Sequence, residues 1–263
     1  MEAFKSVEQT KSIWNKIDFI TVMAYDFVNR ASLTTGHHTD LQGSKLAVQR
    51  YLDLGLPAEK INLGLAFYAK YFEVDETCNR SMLPSGCSIL LAQDNFGADT
   101  YTSGVLTFES KNMERPDVLS PLQESPDGAC GYNNGTLTGY RCPGSSCCGE
   151  SGWCGDEVAH CVPNCQFGYG RCDGPDIIAS FKRARENSVY DQRNGGVWYF
   201  DETASPKIFW TWETIETITR KFYGIVNSPA HKLGGISSWS LGQNSGGWEY
   251  VQQIQKLTHT SAC

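Results

Sequence analysis

The feature that most limits what this chain can fold into is the stretch from Cys130 to Cys172, which holds eight of the eleven cysteines. Their order is C-x11-C-x4-CC-x5-C-x6-C-x3-C-x6-C, at Cys130, Cys142, Cys147, Cys148, Cys154, Cys161, Cys165 and Cys172. Between them lie mostly Gly, Ser, Asn and Pro with a few aromatics, and no apolar period survives. A segment this short and polar orders itself only when cross-links remove the freedom of the unfolded chain. Zinc is the competing explanation, but zinc sites want C-x2-C or C-x4-C pairs that converge twice; this segment has no C-x2-C, and neighbouring Cys147 and Cys148 are poorly placed to share one ion. Disulfides are the expectation, with no metal; eight cysteines allow 105 pairings, so spacing alone leaves the connectivity open.

Gly131, Pro143, the run CCGESGWCG (147–155) and Cys161 resemble a hevein-type chitin-binding domain over the whole block. The resemblance implies the pairs Cys130–Cys148, Cys142–Cys154, Cys147–Cys161 and Cys165–Cys172. It also implies a shallow face of one serine and three aromatics that stack on N-acetylglucosamine rings. Only Trp153 of those aromatics is kept. Gly149 stands at the serine position, and Ser151 and His160 at the other two aromatic positions. Losing two stacking faces is expected to remove most of the sugar affinity. Cys78 and Cys87 are expected to pair across a short loop, while Cys263 is left over, either free or bonded to something outside this sequence.

The chain has 263 residues, 40% hydrophobic and 19% charged, with a net charge of −7. This is globular material, and its sign argues against nucleic acid or an anionic membrane as partner. No run approaches the roughly 18 apolar residues of a membrane span. The N-terminal residues are polar and lack the apolar core of a secretion signal. The cysteine framework nonetheless calls for an oxidising, extracellular compartment. A mature form, or a missing N-terminal portion, would reconcile the two. Asn79-Arg80-Ser81 and Asn134-Gly135-Thr136 are glycosylation sequons.

Along the chain, residues 5–16 carry a helical pattern with Phe4, Val7, Ile13 and Trp14 apolar. IDFITVMAYD (17–26), INLGLAFYAKYF (61–72) and LGGISSWSLG (233–242) read as buried strands of a parallel sheet. KLAVQRYLDLG (45–55) reads as the helix between the first two, with Gly55 as its stop. In the second strand Ile61, Leu63, Leu65 and Phe67 are bulky while Asn62, Gly64 and Ala66 are small. One side therefore packs on a helix and the other leaves space. A strand is expected at 104–108, a helix at 176–187, an antiparallel hairpin at 197–201 and 207–212, and a long helix at 213–226. The α/β alternation is thus interrupted for about 140 residues.

MAYD (23–26), GLAFYAKYF (64–72) and GISSWSLGQN (235–244) resemble strands six to eight of family-18 glycoside hydrolases, the chitinases. YDFVNRASLTTGHHTDL (25–41) and YDQRNGGVWYFD (190–201) are similar to fungal members. The resemblance implies part of a (β/α)8 barrel, at 1–72 and 213–263. It also implies an α+β insertion at 73–129 and 173–212, which carries the module at 130–172. Outside 73–212 about 123 residues remain, against the roughly 250 of a complete barrel. The partner implied is chitin or a chitooligosaccharide, with no cofactor, and with an N-terminal half of the same protein as a second partner.

Family-18 enzymes retain configuration by substrate assistance, in which the sugar's own acetamide attacks the anomeric carbon. Tyr25 matches the tyrosine that holds that acetamide, Asp26 and Met23 its neighbours, and Trp239 the floor; Tyr68 joins them on the substrate side. Lys70 stands where the family has arginine, and Asn244 where many members have aspartate. The general acid, the glutamate of D-x-x-D-x-D-x-E, has no counterpart in the sequence. Such a donor is worth about 10²–10⁴-fold. The rival expectation is a non-catalytic chitin-binding or interaction protein using Trp153 and the hairpin aromatics Trp198, Tyr199, Trp210 and Trp212. His37 and His38 are expected to bond loop backbone rather than metal. Glu73, Asp75 and Glu76 are expected to be solvated, and Asp191 and Glu213 to lie at the surface beside the hairpin, with the lining of a sugar groove as the alternative.

Overall fold

A computed structural model describes residues 12–113, 118, 121–162, 165–244 and 247–260. Most of the 5–16 helix pattern, and Cys263, lie outside them. In chain order the main elements are β1 (Ile20–Met23), α1 (Leu41–Asp53), β2 (Ile61–Ala66), β3 (Tyr68–Glu73), β4 (Ser103–Thr107) and α2 (Ile177–Glu186). They continue with β5 (Val189–Asp191), β6 (Gly196–Asp201), β7 (Ile208–Trp212), α3 (Ile215–Lys221), β8 (Gly235–Trp239) and α4 (Glu249–Thr260).

Three strands form a parallel sheet in the order β1-β2-β8, with Met23, Gly64 and Ser237 in register across it. The bulky positions of β2, Ile61, Leu63 and Leu65, point into a core with Val22, Val48, Ile218, Phe222 and Leu257. The small positions Asn62, Gly64 and Ala66 line the opposite side. There the Ser237 hydroxyl reaches Thr21 Oγ1 at 3.3 Å across β2, so this face is concave. The expectation that the first and third strands are buried on both sides is corrected. Met23 is 69% exposed and Trp239 60% exposed, because among the described residues nothing packs on the concave face.

The run 61–72 is also not one strand. It divides at Phe67, and β3 enters an antiparallel sheet of order β5-β6-β7-β3-β4. Residues 63–74 are buried throughout, so no change of apolar period marks the division. The β6–β7 hairpin pairs Val197 to Asp201 with Trp212 to Ile208. Its aromatics are core, which corrects the rival expectation. Tyr199, Trp210 and Trp212 pack with Phe181 of α2, and Trp198 packs on the other face with Phe72 and Phe209. A sheet covered on both faces presents no stacking platform to a ligand.

Helix α1 begins four residues earlier than its apolar spacing suggests, because the Asp40 carboxylate accepts from the Gly43 N–H at 2.7 Å and caps it. Gly55 at φ 79° ends the turn that follows. α3 starts at a Thr214–Thr217 capping box and passes into a π-helical turn at Phe222–Val226. Ile215 is exposed rather than part of its apolar face. α4 was not among the expected elements, and its Val251, Ile254 and Leu257 pack on the parallel-sheet core.

Between β4 and α2 lie short ladders, Tyr132–Asn133 with Thr136–Leu137 and Cys147–Cys148 with Cys154–Gly155. Disulfides join Cys130 to Cys148, Cys142 to Cys154, Cys147 to Cys161 and Cys165 to Cys172, and a fifth joins Cys78 to Cys87. The buried interior of this block is largely sulfur, with Cys130, Cys142 and Cys148 around Tyr169 and a second group of Cys147, Cys161 and Cys165.

Candidate active site

The chain leaves β1 through Ala24, Tyr25 and Asp26 and turns sharply, with Asp26 in the left-handed region at φ 61°. Two bonds hold the turn. The Phe27 N–H donates to the His38 carbonyl at 3.0 Å, and the Thr39 hydroxyl lies 3.0 Å from the Ala24 carbonyl. The Tyr25 ring crosses Gly64 so closely that a Cβ there would lie 3.1 Å from Tyr25 Cε1 and 2.8 Å from the Val22 carbonyl oxygen. Gly64 is therefore what lets Tyr25 lie against β2.

One oxygen of Asp26 collects the neighbouring donors. The Tyr68 hydroxyl donates to Oδ1 at 2.7 Å and the Lys70 ammonium pairs with it at 2.8 Å. His38 Nδ1 stands 3.8 Å away, beyond hydrogen-bonding distance. Partial burial opposes the Asp26 charge, but the hydrogen bonds from Lys70 and Tyr68 and the Lys70 charge outweigh it and hold the carboxyl well below the usual range. Burial lowers His38 below the ordinary histidine value, with the Lys70 charge adding to it, so the ring is neutral near pH 7. The Tyr25 hydroxyl shifts upward, through burial first and the Asp26 charge second. It is protonated, and among the described residues nothing hydrogen-bonds it. The tyrosine thus offers a free O–H beside a carboxylate already held by its neighbours.

Trp239 and Met23 complete the surface. Trp239 pairs with Ala66 in register, its carbonyl accepts from the Phe67 N–H at 2.8 Å, and the Trp239–Ser240 peptide is cis. Met23 and Trp239 are exposed on the concave face, on the strands either side of β2. Tyr68 leaves from the same end of the sheet and meets Tyr25 edge to face, with ring centroids 6.2 Å apart.

Behind this surface is an ion pair that no sequence pattern marks. Glu213, expected at the surface, is fully buried and pairs with buried Lys221. Thr39 Oγ1 lies 2.9 Å from Glu213, and the Tyr250 hydroxyl donates to the Glu213 carbonyl. Burial opposes the Glu213 charge; Lys221, with hydrogen bonds from Thr217 and Thr39, more than offsets it and lowers the pKa. Asp191 is half-buried and pairs with His37 Nε2 at 3.0 Å, so His37 bonds a carboxylate rather than loop backbone. The adjacent histidines His37 and His38 were visible in sequence, but the partner of His37 comes from β5, far along the chain, and among the described residues neither ring nitrogen of His38 is hydrogen-bonded. Glu73 is buried in β3, not solvated, and burial pushes its carboxyl up to about 7.

In the cysteine block Trp153 is 46% exposed, and the Gly149 N–H donates to its carbonyl at 2.9 Å. The His160 ring lies so near the backbone that a Cβ would meet it at 2.7 Å on Gly155 and 3.2 Å on Gly149. The ring therefore occupies the space a serine at 149 would use. The cysteine clusters that could gather round a metal have their sulfurs in disulfides, so they offer it no thiolate.

The parallel strand order, with the Tyr25–Asp26 turn at the strand ends, defines an α/β scaffold. The family model described as Glycosyl hydrolases family 18 matches residues 2–244, and the chain belongs to that family. Among solved structures it is similar to a chitinase of Rhizomucor miehei, RmChi1, at TM-score 0.54 and 14% identity, covering 94% of this chain and 55% of that one. It is also similar to a mutant class V chitinase of Nicotiana tobaccum in complex with NAG4, at TM-score 0.52 and 16% identity, covering 94% and 51%. These likenesses give a fold of the chitinase, TIM-barrel type. Among curated proteins, an endochitinase of Phaseolus vulgaris is 30% identical over 130 residues, 45% of this chain and 36% of that protein. A chitin deacetylase of a Pestalotiopsis species is 46% identical over 48 residues, 18% of this chain and 15% of its own. The chain thus spans about half the length of these solved chains and about a third of the endochitinase.

Proposed function

We propose that this chain holds the acetamide side of a chitin-binding cleft, as the rear portion of a fungal-type chitinase. In this reading β1, β2 and β8 are strands six to eight of a (β/α)8 barrel, at 1–72 and 213–263. Residues 73–129 and 173–212 are the α+β insertion, and 130–172 is a secreted, hevein-type module. The observation that carries it is the Tyr25 hydroxyl, which no hydrogen bond engages among the described residues, beside an Asp26 secured by Tyr68 and Lys70. Such a hydroxyl can donate to the acetamide oxygen of N-acetylglucosamine and orient it. Trp239 offers an apolar floor to the sugar ring, and Met23 lines the side. The Nicotiana chitinase in complex with NAG4 supports a ligand of this class.

These 263 residues carry no D-x-x-D-x-D-x-E, so the chain supplies orientation and no proton donor. A segment bearing the general acid completes the chemistry. Trp153, exposed on the module, adds a single stacking face.

Titration calorimetry with chitotetraose, beside a turnover assay on a chromogenic chitooligosaccharide, tests this. Binding without turnover is expected, and Tyr25→Phe should weaken binding about tenfold, the worth of one hydrogen bond. Hydrolysis well above blank by the purified chain would contradict the missing acid. Equal affinity of the two proteins would remove Tyr25 from the site.

A further inference from the structure

The two sequons sit in different surroundings. Asn79 caps a short helical turn, and its Oδ1 accepts from the Ser81 hydroxyl at 2.6 Å and the Ser81 N–H at 3.1 Å. The intervening Arg80 pairs with Glu202 at 2.7 Å. The Cys78–Cys87 bridge closes the loop beside it. All three positions of that sequon are therefore tied to the folded chain.

Asn134-Gly135-Thr136 lies at the tip of a hairpin whose strands pair Tyr132 with Leu137 and Asn133 with Thr136. Asn134 and Gly135 are the two turn residues, at φ 46° and 83°, the left-handed pair that a two-residue hairpin requires. Asn134, Gly135 and Thr136 are all exposed, and a side chain added at Gly135 would meet nothing within 4 Å. Asn133 points the other way and is pinned, its amide donating to the Gly152 carbonyl at 2.8 Å. The alternation along the strand thus fixes the hairpin through Asn133 and leaves Asn134 outward. Among the described residues no hydrogen bond engages the Asn134 side chain. The surrounding block is closed by four disulfides, which form in the same oxidising compartment where sequons meet their glycosyl donor.

We propose that Asn134 is a site of N-linked glycosylation. The donor class is an oligosaccharide carried on a polyprenyl diphosphate, and a transferase catalyses the step. The Asn134 amide nitrogen forms a bond to the anomeric carbon and gives up one proton to a carboxylate base of the transferase. The bond from that carbon to the diphosphate oxygen breaks, and its electron pair leaves with the diphosphate. The turn tip has room for a bulky polar chain, and the modification leaves every internal contact of the hairpin in place.

The test is expression of the full chain behind a heterologous secretion signal in a glycosylating eukaryotic host. Glycosidase release in ¹⁸O-labelled water, followed by peptide mass spectrometry of secreted and retained protein together, reads the site whether or not a variant folds. Asn134 should return as labelled aspartate, and both Asn134→Gln and Thr136→Ala should lose one glycan mass. An unmodified Asn134 in signal-processed wild-type protein overturns the proposal. So does an unchanged glycan count in both variants.

Discussion

At the residue scale, one side chain sets a pH dependence that its neighbours in sequence conceal. Glu73 sits among Asp75 and Glu76, and the run EVDE reads as a solvated face. Strand β3 carries Glu73 inward, and burial alone raises its carboxyl from 4.5 to about 7. A carboxyl held more tightly protonated in the folded state than in the unfolded one favours folding at low pH. That contribution is complete below about pH 4.5 and is gone above about pH 7. Allowing for residual solvent contact it amounts to on the order of 2 kcal/mol. Urea midpoints of Glu73→Gln against wild type, taken from pH 4 to pH 8, should diverge as pH rises, with the variant the more stable above 7. Parallel midpoints would show that the carboxyl is solvated. Asp26 is the converse case. Its lowered pKa stabilises the fold above the ordinary carboxylate range and loses that effect as pH falls below it.

At the element scale, the Tyr25–Asp26 turn is braced by parts of the chain about 190 residues away. Thr39 links the Ala24 carbonyl to the Glu213–Lys221 pair, Glu213 follows β7, Lys221 ends α3, and Tyr250 of α4 closes the network. Removing one member of a buried pair leaves an uncompensated charge, which costs about 3–5 kcal/mol. Lys221→Met should therefore lower stability by that amount in equilibrium unfolding. The double substitution Lys221→Met, Glu213→Gln should recover most of it, since neither residue is then charged. A double variant as unstable as the single one would mean that packing, not charge, is what the pair supplies. A cap acts within three residues, yet apolar spacing places the first helix four residues late and marks neither the Asp40 nor the Thr214 cap. The Glu213 pairing was not legible either, because nothing local distinguishes a buried acid from a surface one.

At the scale of the whole molecule, two ways of building an interior coexist. The parallel and antiparallel sheets bury aliphatic and aromatic side chains, whereas the 130–172 block buries cystines around Tyr169. Reduction should separate them. With a strong thiol reductant the Trp153 surroundings and the module's amide signals should collapse, while the helical circular dichroism of the rest persists. A module that keeps its dispersed amide spectrum when fully reduced would show that its polar turns hold without the cross-links. Each such bridge contributes roughly 2–4 kcal/mol to a chain of this kind.

By itself the sequence determined most element types (though not α4), the cross-linking of one block, and the bulky-versus-small faces of β2, because spacing and side-chain size are local properties. Only tertiary structure decided that 61–72 serves two sheets, since a run buried throughout has no period to break. The same holds for the hairpin tryptophans, which are core because α2 and the Cys78–Cys87 loop cover both their faces. Tyr25, Asp26, Met23, Tyr68 and Trp239 were nameable from motifs. That Lys70 and Tyr68 grip a single oxygen of Asp26, with the Tyr25 hydroxyl unengaged among the described residues, depends on where β3 crosses β1's end, and no spacing along the chain encodes that crossing.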